Sequence, residues 1–426
     1  MMSTTQHTAG PAANPDGAAP ATADVAVAVD AARDSASRAG GAGVPQARPE
    51  SPAAPVPPGP VTMAKALNAA LADALAADDG VVVFGEDVGT LGGVFRITDG
   101  LAARFGAQRC FDTPLAESGI AGMSVGMAIN GMRPVIEMQF DAFAYPAFEQ
   151  IASHIAKMSN RTRGRLPMPI VIRIPYAGGI GGVEHHCDSS EAYYAHTPGL
   201  KVVTPATVTD AYLLLRAAID SDDPVVFLEP KKLYFAKDRV DLEALRAQYE
   251  SGARADAGAG RDAGRMSGAT GTEPDAGRSG AAAGADPRAA LESGGAAVAR
   301  TGTDATLIAY GPSVPTALAA AAAAAEEGRS LEVVDVRTIV PFDDATVTAS
   351  VRRTGRAVVI SEETGFGSVA GEIAARVQER CFHSLAAPVL RVTGFDVPYP
   401  APKLEHHFLP SVDRILDAVD DLQWED

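Results

Sequence analysis

Four stretches of this 426-residue sequence hold side chains whose types and spacing can do chemistry. In DTPLAESGIAG, Glu117 stands directly before a run of small residues, Gly119, Ala121, Gly122 and Gly126, which lets a helix press closely on another backbone. A carboxylate there is either a reactive acid or a cap favoured by the helix dipole. In PYAGGIGGVEHHCDSSEAYYAHTPG, Gly178, Gly179, Gly181 and Gly182 precede His185 and His186, with His196 further on. The glycine order matches neither GxGxxG nor a P-loop. Adjacent histidines point in different directions and no third ligand has helical spacing, so a metal centre is not indicated. Glycine-rich loops beside histidines are common at gated sites, and solvated or structural histidines are the competing reading. In EMQFDAFAYPAFEQI, Gln139, Phe143, Tyr145 and Phe148 follow an apolar run and read as core as readily as a binding wall. In SEETGFGSVAGEIA, Glu362 and Glu363 lie between a strand and a helix, where open α/β sheets build functional surfaces; first-turn acids are the other reading.

The elements that must position these groups are legible from hydrophobic patterning. Thr62 has the chemistry of an N-cap before Met63, Leu67, Leu71 and Leu75, which recur every four residues on one helical face. Short apolar runs at 81–84, 134–140, 170–174, 201–203 and 225–228 predict buried strands, with helices over 117–130, 145–158 and 210–220 between them. The pattern restarts with strands at 305–310, 331–334, 357–360 and 389–392, alternating with helices at 315–327, 343–353, 371–381 and 411–422. Strands alternating with helices give an α/β fold: two doubly wound, mainly parallel-sheet domains. The first is expected over 61–240 and the second over 303–426, joined by a Gly/Ala-rich low-complexity linker, 241–302.

Composition narrows the function classes. The first 60 residues hold 10 prolines and 17 alanines with no Phe, Trp, Tyr, Leu or Ile, and residues 251–300 contain 27 Gly or Ala. Segments burying so little apolar surface cannot offset chain entropy, so both are read as disordered. Lys+Arg 36 against Asp+Glu 53 gives a net charge of -17. An acidic chain without a cationic run is a poor nucleic-acid binder. Cys110, Cys187 and Cys381 are too scattered for a disulfide framework or a CxxC metal site. No apolar run approaches the roughly 20 residues of a membrane helix. The N-terminal stretch, with no basic start followed by an apolar core and with five acids, is not expected to be a signal or transit peptide. A cytoplasmic protein is expected.

Taken in order, FGEDVGTLGGVFRITDGL, DTPLAESGIAG, GMRPVIEMQF, HTPGLKVVTPAT, DDPVVFLEPKKLY and APVLRVTGFDVPYP resemble one family. It is the β subunit of the thiamin-diphosphate-dependent, decarboxylating component of 2-oxo acid dehydrogenase complexes. The resemblance covers about residues 61–237 and 303–423 and implies a transketolase-like pyrimidine-binding domain followed by a transketolase C-terminal-like domain. ERCFHSLAAPVLRVTGFDVPYP and FLEPKKLY look more like branched-chain members than pyruvate ones.

The resemblance also implies residue roles. Glu117 matches the glutamate that hydrogen-bonds the ring nitrogen of the cofactor's aminopyrimidine, stabilising a protonated ring so that the exocyclic amine can act as a base. Gln139 and Phe143 match residues lining the pyrimidine pocket, and Leu115 occupies a neighbouring position. His186 matches the active-site histidine that donates a proton as the acyl group passes to the partner's lipoyl arm. Its neighbours Cys187 and Asp188 depart from the more usual Ser-Gln; His185 is a bystander. A potassium site built largely from backbone carbonyls maps to Ile170, Ala218, Ile219, Ser221 and Asp223, with Ser221 replacing a more usual aspartate. The diphosphate is normally held through magnesium by a GDG motif, which this chain lacks. The expected partner is therefore an α chain carrying the Mg site, in an assembly of two α and two β chains docked on a lipoyl acyltransferase core. The expected substrate is a branched-chain 2-oxo acid, with pyruvate as the close alternative. A non-catalytic docking subunit and a single-chain transketolase-like enzyme are the readings of other classes, the missing GDG weighing against the last.

Overall fold

The structure, a computed structural model, describes residues 59–258 and 286–422. The expected disorder of residues 1–58 and of the middle of the linker falls outside the described residues. Fourteen strands are present among those described. The first half carries β1 (Pro60–Thr62), β2 (Val81–Gly85), β3 (Cys110–Asp112), β4 (Arg133–Glu137), β5 (Val171–Tyr176), β6 (Lys201–Val203), β7 (Val225–Pro230) and β8 (Lys237–Arg239). The second half carries β9 (Ala297–Arg300), β10 (Ala305–Ala309), β11 (Leu331–Asp335), β12 (Thr338–Val340), β13 (Ala357–Thr364) and β14 (Leu390–Gly394).

Two main sheets result. One runs β12-β6-β7-β5-β4-β2-β3 and the other β14-β13-β10-β11-β9, while β1 and β8 form a separate antiparallel pair. Within the large sheet β2, β3, β4, β5, β6 and β7 are all parallel. The residues of β2, β5 and β7 are buried on both faces, which is why they read as continuous apolar runs. The first long helix, Met63–Ala77, starts where expected: the Thr62 hydroxyl accepts from the Lys65 amide, and Met63, Leu67, Leu71 and Leu75 are buried.

The two halves are not beads on a tether. Strand β12 comes from the second half, yet it pairs antiparallel with β6 at the edge of the first half's sheet. Arg337 reinforces the crossing. Its carbonyl accepts from the Thr204 amide at 2.9 Å, and its guanidinium meets Asp210 at 3.0 Å. One apolar core runs without a break from Val82 and Ile172 through Tyr176 to Ile308 and Val359.

The stretch 241–302, read as a linker, holds ordered structure at both ends. The helix Leu242–Gly258 buries Leu245 and Tyr249. Pro287–Ser293 is a second helix, and Arg288 stacks on the Tyr249 ring at 4.0 Å while pairing with Asp220 at 2.8 Å. Strand β9 then closes the second sheet. Low overall hydrophobicity hid a few well-spaced apolar anchors. The expected helix over 145–158 is also different. It is a 3-10 stretch, Ala142–Ala147, then a short α-turn and one π turn, Ile151–Ile155. Pro146 has no amide hydrogen to give to an α-helical ladder, and π turns of this kind mark departures from regular winding.

Candidate active site

Glu117, Gln139 and His186 fall on successive loops at one end of the large sheet, and two further acids join them. Glu86 and Asp87 leave β2, Glu117 follows β3, Gln139 follows β4, and the glycine-rich segment with His186 follows β5. Because these strands are parallel, all four loops emerge at the carboxyl ends, where open α/β sheets bind ligands.

Glu117 is the first residue of the helix Glu117–Ile129. The N-cap position belongs to Ala116, which makes no side-chain cap bond, and the Glu117 carboxylate has no hydrogen-bond partner among the described residues. A capping role therefore does not consume it. Glu86, which sequence reasoning missed, is buried beside it, with Oε1 lacking any partner. Burial, and then the charge of Glu117, push the Glu86 carboxyl above its ordinary range; the Ala116 amide pulls the other way. The signal was present in the sequence as an acid placed just after the apolar run 81–84. Gln139 is oriented by Asp87, whose carboxylate accepts from Nε2 at 3.0 Å. Asp87 itself sits at φ 59, a conformation uncommon outside glycine, as is often found at functional loops. Leu115 is 82% exposed, so the wall it belongs to is open in the single chain.

His186 and Phe143 come together. Their ring centroids are 5.3 Å apart and steeply inclined, and Phe140 packs edge-on against His186 at 4.4 Å. Nδ1 of His186 is buried without a partner. A cleft of about 530 Å³ opens here, lined by Phe143, Val183, His185, His186 and, from the second half, Tyr399 and Pro400. His185 is exposed, as a bystander would be.

Beneath the loops lies a buried ionic foundation. Arg173 on β5, fully buried, donates to both oxygens of Glu229 at 2.7 and 2.9 Å and also to Glu137; Tyr234 donates to Glu229 at 2.6 Å. Farther along, Asp141 accepts from the Ser190 amide at 2.9 Å and from its hydroxyl. Burial pushes Asp141 up and the neighbouring Lys231 down. Glu363 meets Glu191 across the Tyr310 hydroxyl, at 2.7 and 3.2 Å. Burial raises both carboxyls, and for Glu191 the charge of Glu363 adds to it.

The unpartnered Oε1 of Glu86, the free acid of Glu117, the oriented amide of Gln139 and the aromatic face of Phe143 fit a flat, protonatable heterocycle such as an aminopyrimidine. The corner assigned to potassium is different. Ile170, Ala218, Ile219, Ser221 and Asp223 do lie together, but the Ile219 and Ser221 carbonyls accept from the Arg133 guanidinium at 3.2 and 3.0 Å. The Ile170 carbonyl accepts from the Val225 amide, and Asp223 pairs with Lys201 at 3.1 Å. A protein cation, the Arg133 guanidinium, already serves this corner. Among the described residues no cluster of metal-ligating side chains occurs, and no helix is long and apolar enough to cross a membrane.

Comparison with known proteins gives the family. Residues 59–237 match the transketolase pyrimidine binding domain and residues 294–415 the transketolase C-terminal domain. The chain is 49% identical over 359 residues to a pyruvate dehydrogenase E1 component subunit beta of Leifsonia xyli subsp. xyli, covering 84% of this chain and 93% of that one. It is 48% identical over 364 residues to the 3-methyl-2-oxobutanoate dehydrogenase subunit beta of Mycobacterium tuberculosis, covering 84% and 91%. The Bacillus subtilis pyruvate dehydrogenase E1 component subunit beta is 40% identical over 84% of this chain and 97% of its own length. Among solved structures, a split-gene transketolase, an inactive beta4 tetramer, shares the fold with a TM-score of 0.61 at 20% identity, over 85% of this chain and 98% of that one. A chain that pairs an acid with an oriented amide at the carboxyl ends of a parallel sheet, and is 48–49% identical to such relatives over 84% of its length, belongs to the E1 β-subunit family of thiamin-diphosphate-dependent 2-oxo acid dehydrogenases.

Proposed function

We propose that this chain is the β subunit of a branched-chain 2-oxo acid dehydrogenase, acting with an α chain in a two-α, two-β assembly and delivering the acyl group to the lipoyl arm of an acyltransferase core. When bound, thiamin diphosphate supplies the electron sink that lets carbon dioxide leave a 2-oxo acid. The chain's own residues do the rest. Glu117 holds a proton at the pyrimidine ring nitrogen, and Gln139 and Phe143 orient that ring. Burial and the charge of Glu117 raise the Glu86 carboxyl, which stands beside the Glu117 carboxylate. His186, with its buried and unpartnered Nδ1, donates a proton as the acyl group moves to the lipoyl sulfur. The diphosphate and its magnesium fall to the α chain.

The observation that carries this reading is the Glu117 carboxylate: it stands at a helix start, unclaimed by any partner among the described residues, beside a buried second acid. A purely structural subunit has no use for that pairing. The test is Glu117→Gln in the co-expressed α/β enzyme. Turnover is expected to fall by about 10²-fold or more, the range of acid–base contributions, with the assembly intact on gel filtration. Full turnover in the variant removes the assignment.

Pyruvate as substrate is the second reading, favoured by the 49% identity to the Leifsonia xyli protein. Branched-chain use rests on the M. tuberculosis relative and on the sequence blocks FLEPKKLY and ERCFHSLAAPVLRVTGFDVPYP. A few methylenes in an apolar pocket discriminate by about 1–3 kcal/mol each. Rates of the reconstituted pair on pyruvate and on 3-methyl-2-oxobutanoate decide between them.

A further inference from the structure

We infer that Glu405, in the second half of the chain, is a positioning residue for His186, acting through the glycine-rich loop; this deepens the proposed function and rests on it. The loop from Ala177 to Ser189 begins in strain. Ala177 is buried at φ 67, a left-handed conformation costly for a residue with a β-carbon. It is pinned there by its own bonds: its amide donates to the Asp188 carbonyl at 2.8 Å, and its carbonyl accepts from Lys231 Nζ at 2.6 Å. The next amides along the chain find no acceptors within the loop, and the second half supplies them. Glu362, buried and paired with Lys232, accepts from the Gly178 amide at 3.2 Å. Glu405 accepts from the Gly179 amide at 2.8 Å and from the Gly181 amide at 3.1 Å, while Tyr399 donates to it at 2.6 Å.

The glycines are what permit this grip. A β-carbon on Gly178 would lie 2.0 Å from the Tyr399 hydroxyl, and one on Gly179 would lie 2.6 Å from the Lys232 side chain. Past the clamped amides the chain turns through Gly182 against the Cys187 sulfur and delivers His186 onto Phe140 and Phe143. Among the described residues the imidazole packs on these two rings and its Nδ1 has no hydrogen-bond partner, so the loop backbone sets its place. Glu405 thus ties the histidine of one half to the other half through two charge-assisted hydrogen bonds.

The experiment uses the assembled α/β enzyme and reads two things: amide hydrogen exchange at residues 178–186, and the kinetics of acyl transfer to a lipoyl domain. Losing bonds to a charged acceptor opens the loop, so Glu405→Ala is expected to raise exchange there by about tenfold or more. The kcat for acyl transfer is expected to fall by about tenfold, while KM for the 2-oxo acid stays within about twofold, because a displaced proton donor affects transfer and not substrate binding. Glu405→Gln keeps an acceptor oxygen and is expected to restore most of both. Tyr399→Phe, which removes only one donor to Glu405, is expected to give a smaller change in the same direction and serves if Glu405→Ala does not assemble. Unchanged exchange at 178–186 in Glu405→Ala overturns the clamp. Raised exchange with unaltered acyl-transfer kcat overturns the positioning of His186. A wild-type assembly that turns over no 2-oxo acid overturns the proposed function instead, and its exchange data still judge the clamp.

Discussion

At the scale of single residues, the site depends on atoms that are absent as much as on those present. Gly178 is the sharpest case. Its missing β-carbon is what lets Tyr399 approach the loop, so Gly178→Ala forces the ring away and is expected to destabilise the enzyme by about 1–3 kcal/mol, the usual cost of overpacking. The same substitution in a Tyr399→Phe background is expected to cost less, because the nearest clash, with the hydroxyl, is gone, although the ring carbon behind it at 2.7 Å still crowds. Denaturation midpoints of the four proteins in that cycle measure the coupling; equal costs in both backgrounds would show that the hydroxyl is not what the glycine accommodates. Residue-level reading of the sequence could single out Glu117, His186, Gln139 and Phe143, because their neighbours in the chain carry family-specific patterns. It could not find Glu405, whose contact with Gly179 spans 226 positions and leaves no local trace.

At the scale of elements, the parallel strands hold the loops, and Arg173 holds the strands. Its side chain, fully buried on β5, bonds Glu137 on β4 and Glu229 on β7, so three neighbouring strands are tied just below the loops that carry Gln139 and His186. Arg173→Met leaves two carboxylates buried without their cation. The expected loss is about 3–5 kcal/mol in urea denaturation. Replacing Glu137 and Glu229 by apolar residues of similar volume alongside it is expected to recover most of that loss, since an ion cluster as a whole adds little net stability over a well-packed apolar one. A loss below about 1 kcal/mol for Arg173→Met alone would mean that the three strands do not depend on the cation. The strands themselves were legible because a sheet covered on both faces writes unbroken apolar runs into the chain. The edge strand β12 was not. Three residues, Thr338–Val340, carry no period, and only the tertiary crossing onto β6 makes them a strand. The helix Leu242–Gly258 escaped notice for a related reason: a few anchors such as Leu245 and Tyr249 secure a segment whose composition otherwise resembles the low-complexity stretch after it.

At the scale of the whole molecule, the two halves meet at carboxyls that burial raises, which ties part of the stability to pH. Asp335 ends β11 just before the crossing strand. Burial pushes its carboxyl up to about 8, with the charge of Asp210 adding and Arg337 opposing. Glu191 and Glu363, at the seam, are raised as well, chiefly by burial. A folded-state value above the unfolded one means that the folded chain binds more protons in the interval between them, so stability falls as pH rises through that interval. For Asp335 the interval runs from the ordinary aspartate value near 4 to about 8: below it both states are protonated and nothing is lost, and above it the full penalty of a buried charge is present. The thermal midpoint of the assembled enzyme is therefore expected to decline between about pH 5 and pH 8. Asp335→Asn keeps an oxygen for the Arg337 amide, which donates to Asp335 at 3.1 Å, but has no proton to lose, and its midpoint is expected to decline less steeply over the same range. Parallel pH profiles for the two proteins would mean that Asp335 ionises in the folded state as it does in the unfolded one, and that the crossing between the halves carries no proton-linked cost at this position.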